Sequence, residues 1–420
     1  MRIKHLALIF ATTLAISACS TNGDDTPDPK SETGTWCGTM DEYSITAEDM
    51  INLITLAVPD IKDFADDISE LLCDVNVAKI KYTTTNPEGK IIEASGFITY
   101  PSKMTEYNHI LSIQHGTMDV DGGPTDQTFP IETIPVFRGE MVVMADYLGY
   151  GVSRTKDMKN TYMHAKTTGT ACADMIQAAR QYLDSKNNLK CTADSIRLIG
   201  YSQGGQATIA TLFELERRGL GEQISLIWAG AGPYDMVAFL NESIEKPTSR
   251  KNGYIVHSIE GVMNGDRLVL DRHNIYAPEM FENGKDSIFS KCVLSKWPDI
   301  IGDDIHKILH ENFFKENYGG NDTDVHKLMQ HMYDNSVVNI KDKLNENVFI
   351  SFHHNPEDTY VPYCCAESAN EKWENNSELI DLYLGKDHPA NGAEFLLDYM
   401  GDDYLALELI IVPIINDVIN

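Results

Sequence analysis

The sequence predicts an α/β domain: a mostly parallel sheet flanked by helices, with an inserted helical cap. Three observations carry that expectation. From about residue 77, short apolar runs alternate with amphipathic helical patterns. Strands that are apolar on both faces belong to sheets covered on both sides. The stretch at about 233–345, long and polar, then breaks the rhythm, and more than 100 residues between two sheet strands form an insertion rather than a loop. Finally, a Gly-x-Ser-x-Gly sequence falls at one strand-to-helix junction.

Composition sets outer limits. The chain has 420 residues, 42% of them hydrophobic and 23% charged, enough to bury a core and unlike a disordered, collagenous or coiled-coil protein. Its 34 Lys+Arg against 63 Asp+Glu give a formal charge of −29. A field of that sign repels phosphate backbones and anionic lipid, so nucleic acid is not an expected partner. Charge alone would not hold the protein on a membrane either.

The N-terminus reads as a targeting segment. Arg2 and Lys4 precede an apolar stretch, Leu6 to Ile16, shorter than the ~20 residues of a membrane span. Residues 1–18 are therefore expected to be a signal peptide. Ile16-Ser17-Ala18-Cys19 resembles the lipobox of bacterial lipoproteins. That resemblance implies cleavage before Cys19, lipid on Cys19, and a place in the bacterial cell envelope, with acyl chains contributing ~0.8 kcal/mol per buried CH₂. Ser20 to Thr35 is polar with two prolines, so residues 19–36 read as the lipidated Cys and a flexible tether. Asp24-Asp25 resembles surface-export signals of some Gram-negative lipoproteins, which points to the outer membrane or the cell surface. Lipidation of one of the eight cysteines leaves an odd number. In an oxidising compartment Cys37 with Cys73, or Cys172 with Cys191, are candidate pairs, whereas Cys364 and Cys365 are adjacent and cannot easily bridge. No Cys/His cluster has zinc spacing.

Residues 37–420 then form the domain. Val77–Thr84 and Lys90–Tyr100 flank Asn86-Pro87-Glu88-Gly89 and read as a hairpin. The further expected strands are His109–Gln114, Met141–Ala145, Ser195–Ile199, Ser225–Ala229, Asn347–Phe352 and Glu378–Leu384. Thr168–Leu183 predicts a helix with Ala171, Met175, Ala178, Ala179 and Leu183 on one side, and Gln206–Arg218 predicts another. Within the cap, Asp304–Lys315 places Ile305, Ile308, Leu309 and Phe313 at helical spacing. His306 and His310 share a helix face at i, i+4 with Glu311 adjacent, but with no third ligand they read as surface or cap packing rather than a metal site. The apolar tail Tyr404–Ile415 reads as a packed terminal element.

The chemistry concentrates at Gly200-Tyr201-Ser202-Gln203-Gly204-Gly205. It follows an apolar strand and opens a helical pattern, the context in which Gly-x-Ser-x-Gly forms a nucleophile elbow. Gly200 and Gly204 lack side chains beside the sharp turn, and the hydroxyl of Ser202 stands at a helix N-terminus whose free N–H groups face developing negative charge. A serine needs a base. His353, His354 and His388 lie downstream, and His388, in a glycine-bearing loop before a helix, is the expected base. The acid should follow the penultimate strand. Glu357 and Asp358 are candidates there, and Asp358 is preferred because Val361-Pro362 would open a helix shortly after it. For the oxyanion hole, Gln203 supplies one backbone N–H, and Gly116 or Thr117, in the loop after His109–Gln114, the other. Asp146-Tyr147-Leu148-Gly149-Tyr150-Gly151 follows another strand end and borders the same face, with Asp146 as a loop cap or a site residue.

On these residues the sequence resembles the α/β-hydrolase superfamily over roughly 77–402, through HGT at 115, DYLGYG at 146, GYSQGG at 200, EDTYVP at 357 and DHPANG at 387. More narrowly it resembles the secretory lipase family and its bacterial esterase relatives, which have a helical cap before the acid and a His followed by Pro. That resemblance implies hydrolysis of a small-molecule or lipid carboxylic ester through an acyl-Ser intermediate, with no cofactor. A serine peptidase on the same fold is the first alternative, although residues 37–76 are too few for an N-terminal propeller. A non-catalytic ligand-binding lipoprotein is the second. The sequence does not give the oligomeric state.

Overall fold

The computed structural model describes residues 32–57, 69–119, 122–155, 158–289, 297–383 and 388–401. Cys19, the signal segment, most of the tether, Asp387 and the tail Tyr404–Ile415 lie outside the described residues.

Nine strands build one sheet among the described residues, in the order β1-β2-β3-β5-β4-β6-β7-β8-β9. Strands β1 (Trp36–Ile45), β2 (Val75–Thr85) and β3 (Ile91–Pro101) run antiparallel, with the predicted hairpin turn between the last two. Beyond β3 come β5 (Val142–Ala145), β4 (Glu106–Gln114), β6 (Lys190–Tyr201), β7 (Ile224–Gly230), β8 (Ile350–His354) and β9 (Ser377–Asp381). β3 meets β5 antiparallel, and every later pairing is parallel.

Helices α2 (Ala165–Asp184) and α3 (Gln203–Arg217) cover one face. The predicted inward residues of α2, Ala171, Met175, Ala178, Ala179 and Leu183, are all buried. The other face is covered by α9 (His388–Met400) and a 3-10 segment, Ile131–Arg138, which share a core with Ile113, Ile199 and Phe97 of the strands. Between β7 and β8 the chain forms α4 (Met236–Glu245), α5 (Ser249–Gly265), α6 (Trp297–Ile301) and α7 (Asp324–Asn335), with a third apolar cluster of their own. Among the described residues, no helix is long and apolar enough to cross a membrane.

Four expectations need correction. Strand β1 and helix α1 (Ala47–Ala57) were not anticipated. Gly34 and Thr35, read as tether, are already docked: Gly34 N–H donates to Thr83 O at 2.7 Å, and Gln181 Nε2 donates to Gly34 O at 2.8 Å. Asp304–Lys315 is not one helix but two 3-10 turns, Ile305–Lys307 and Glu311–Phe314, with His310 extended between them (φ −59°, ψ 145°). His306 and His310 therefore share no helix face, and the described residues hold no cluster of potential metal ligands. Lastly, Cys37, Cys73, Cys172 and Cys191 are free thiols, as are Cys364 and Cys365, so neither candidate disulfide forms.

Candidate active site

Ser202 is the cap residue between β6 and α3, at φ +61° and ψ −124°, a conformation L residues rarely adopt. The sequence permits this because the turn is packed to backbone distance. A Cβ on Gly204 would lie 2.0 Å from the Gln114 carbonyl oxygen, and one on Gly200 would lie 2.4 Å from the Gly204 carbonyl oxygen. Main-chain bonds hold the strained residue in place. Ser202 N–H donates to Gly230 O at the end of β7 (2.9 Å), and the residue just after β7, Ala231, donates to His353 O in β8 (2.7 Å).

The loop after β8 carries Asp358, fully buried with its carboxyl divided between two tasks. Oδ1 accepts the N–H groups of Tyr360 (2.7 Å) and Val361 (3.0 Å), and Oδ2 lies 2.6 Å from His388 Nδ1. It is thus both a turn cap and the partner of His388. Burial pushes its pKa up, but the facing His388, its hydrogen bond and His354 outweigh that, and the net pKa is lowered. Pro362 precedes the next helix, α8 (Cys364–Lys372), rather than opening it. Glu357 is not the partner of His388, because its neighbour takes that place.

His388 is the first residue of α9. Its ring lies between two aromatic rings, with centroids 4.8 Å from Tyr201 and 5.2 Å from Tyr360. Nδ1 faces Asp358, so the proton on that nitrogen is fixed and Nε2 is left as the acceptor. Among the described residues buried Nε2 has no hydrogen-bond partner. His388 and Ser202 line one cavity of about 450 Å³.

Gly116 and Thr117 line the same cavity, and Gln203 opens α3 beside Ser202. Among the described residues no hydrogen bond takes up the N–H of Gly116, Thr117 or Gln203. The loop is held from beneath by fully buried His115, whose Nδ1 lies 2.7 Å from Gly116 O and whose ring stacks on Tyr147 at 3.8 Å. Burial lowers its pKa to about 4, with the Gly116 and Asp146 carbonyls opposing, so it is neutral near pH 7.

Two further buried residues support the site. His354, fully buried at the end of β8, sets Nε2 3.0 Å from Val361 O and 3.7 Å from Asp358 Oδ2. Because a carbonyl can only accept, Nε2 carries the hydrogen and pins the turn that presents Asp358. Burial holds its pKa down at about 4, against the opposing effect of Asp358 and the Val361 bond. Asp146 is also fully buried, and it is structural: its carboxyl accepts Thr125 N–H (2.8 Å), Thr125 Oγ1–H (2.5 Å) and the Ser95 hydroxyl.

Neither a protein-family model nor a curated protein sequence matches the chain. Solved structures do. The chain is similar to a ligand-bound form of the rice cell wall degrading esterase LipA from Xanthomonas oryzae, at 19% identity and TM-score 0.67, over 91% of this chain and 97% of that one. It is similar to a Legionella pneumophila protein taken to be a hydrolase, at 19% identity and TM-score 0.68, over 88% of this chain and 98% of that one. Candida antarctica lipase A in its closed state is more distant, at 14% identity and TM-score 0.57, over 86% of this chain and 79% of that one. With the strand order above, these likenesses establish an α/β-hydrolase fold.

Proposed function

We propose that the protein is a serine carboxylic-ester hydrolase acting on a small-molecule or lipid ester. The observation that carries the reading is the buried His388 with Nδ1 committed to Asp358 and Nε2 unpartnered in the cavity that Ser202 lines. That arrangement supplies a base for a hydroxyl that is a poor nucleophile by itself.

Chemistry follows from the positions. Ser202 Oγ attacks the ester carbonyl carbon as His388 Nε2 takes its proton, and the carbonyl oxygen becomes an oxyanion. Gln203 N–H and the N–H of Gly116 or Thr117 stabilise that charge, each such donor being worth about 10²–10³ in rate. The imidazolium, stabilised by Asp358, returns the proton to the leaving alcohol oxygen as the C–O bond breaks, leaving an acyl-Ser202. Water, deprotonated by His388, then attacks the acyl carbon, and the imidazolium returns that proton to Ser202 Oγ as the acyl C–Oγ bond breaks and the acid leaves. Proton transfer by a placed imidazole contributes about 10²–10⁴.

Ser202→Ala is expected to abolish turnover of p-nitrophenyl acyl esters and labelling by a fluorophosphonate probe while leaving the thermal midpoint nearly unchanged. Substantial turnover in a clean Ser202→Ala preparation would sink the mechanism, and aminoacyl amides hydrolysed faster than simple esters would favour a peptidase. We propose in addition that Cys19 anchors the chain in the bacterial envelope, outer membrane or surface. Cys19→Ala should move the protein from the membrane to the soluble envelope fraction, and unchanged fractionation would refute the anchor.

A further inference from the structure

The cavity is not uniform. On the α9 side it is walled by Ile113 and Ile199, which pair in register on β4 and β6, and by Ile131, Phe395 and Leu396. Glu132 interrupts that apolar wall. It is the second residue of the 3-10 segment Ile131–Arg138, keeps part of its surface accessible, and lines the cavity.

Several other polar groups of the wall are already engaged, while Trp297 Nε1, a donor only, has no partner among the described residues. Gln114 donates to Ser112 Oγ (2.8 Å) and accepts from Thr208 (2.9 Å), and Gln127 donates to Gly122 O (2.8 Å). Thr117 is hydrogen-bonded to Tyr162 (2.6 Å), and the Arg250 guanidinium donates to the Tyr360 hydroxyl (2.5 Å). Glu132's carboxyl is bonded only to its own amide among the described residues. Burial pushes its pKa up, against that amide bond. A carboxyl accepts from an alcohol through its oxygens in either protonation state, and donates to one when it holds its proton. A plain alkyl arm would displace water from it and offer nothing in return.

We propose that Glu132 is a specificity-determining residue that receives a hydroxyl carried on one arm of the ester, so that the substrate class is hydroxylated rather than plain alkyl esters. The inference rests on the esterase reading and deepens it. The preference expected from leaving a buried acceptor unpaired is about 10- to 100-fold in kcat/KM.

The test compares p-nitrophenyl butanoate, hexanoate and octanoate with their ω-hydroxy counterparts, and acetate esters of alkanols with monoacetates of the matching diols. An ω-ammonium series is run beside them, and ratios are read within each variant so that any general loss of activity cancels. The wild type should prefer the hydroxylated member of at least one pair by about tenfold or more, Glu132→Gln should keep most of that preference, and Glu132→Leu should bring the ratio near one. A wild-type ratio near one throughout, a preference surviving in Glu132→Leu, or a stronger preference for the ammonium series overturns the inference alone. Absence of Ser202-dependent hydrolysis of p-nitrophenyl acetate overturns the esterase reading and takes this inference with it.

Discussion

Asp146 offers a quantitative test of how the site is supported. Its carboxyl is fully buried and held by two hydroxyls and one amide. Burial pushes its pKa from the ordinary 3.8 up to about 6, with the bonds from Ser95 and Thr125 offsetting part of the rise. The native state therefore keeps this proton to a higher pH than the unfolded chain does. The stability it contributes is fully present below about pH 3.8 and is lost as pH rises through about 6. At 1.36 kcal/mol per pH unit the whole loss is about 3 kcal/mol, and about 2 kcal/mol of it falls between about pH 4 and pH 7. Asp146→Asn resembles the protonated acid and does not titrate, and its Oδ1 can still accept Thr125 N–H. Urea unfolding of both proteins, followed by tryptophan fluorescence across that range, should show wild type losing about 2 kcal/mol relative to the variant. A stability difference that stays constant with pH, or one that moves in favour of the wild type as pH rises, would refute the assignment.

Asp358→Asn should lower kcat by about 10⁴, because the imidazole loses the acceptor that fixes its proton on Nδ1. The Asn oxygen can still cap Tyr360 and Val361, so the thermal midpoint should fall only slightly, and a kcat within tenfold of wild type would contradict the triad. Because the native pKa of Asp358 is lowered, the stability it contributes is present above its unfolded value and lost only as pH falls through the lower native one. His354→Leu leaves the Val361 carbonyl without its donor and should cost about 1–3 kcal/mol in denaturant unfolding. It should also reduce kcat more than it raises KM, and an unchanged kcat would exclude a positioning role. Gly204→Ala drives a Cβ to 2.0 Å from a main-chain oxygen and should destabilise by 1–3 kcal/mol or more, read as a lower urea midpoint together with lost turnover.

The residues that carry chemistry were legible because the chemistry dictates local sequence. An elbow at φ +61° needs glycines beside it, and Gly200 and Gly204 stand where the backbone contacts are closest. The parallel strands were legible because they are apolar on both faces. β1 escaped notice because it is an edge strand, WCGTMDEYSI, in which Ile45 alone is buried and apolar residues do not alternate. Asp304–Lys315 misled for a different reason. Ile305, Ile308, Leu309 and Phe313 are indeed buried, but the Asp304 and His310 side chains accept the amides of His306 and Asn312, so each caps the start of a separate turn. There the apolar spacing reports burial rather than helix. The contribution of His354 has no sequence signature, since it depends on a carbonyl brought back by the turn.

The bonds from Ser202 to Gly230 and from Ala231 to His353 have a consequence for how the chain tolerates change. They form a jig across β6, β7 and β8, whose neighbouring axes sit about 4.8 Å apart. The reach from nucleophile to acid is set by amides, which every residue but proline supplies. Side chains along these three strands can be exchanged for others of similar bulk without altering that span, whereas a proline at 231 would cut the jig where no side chain could restore it.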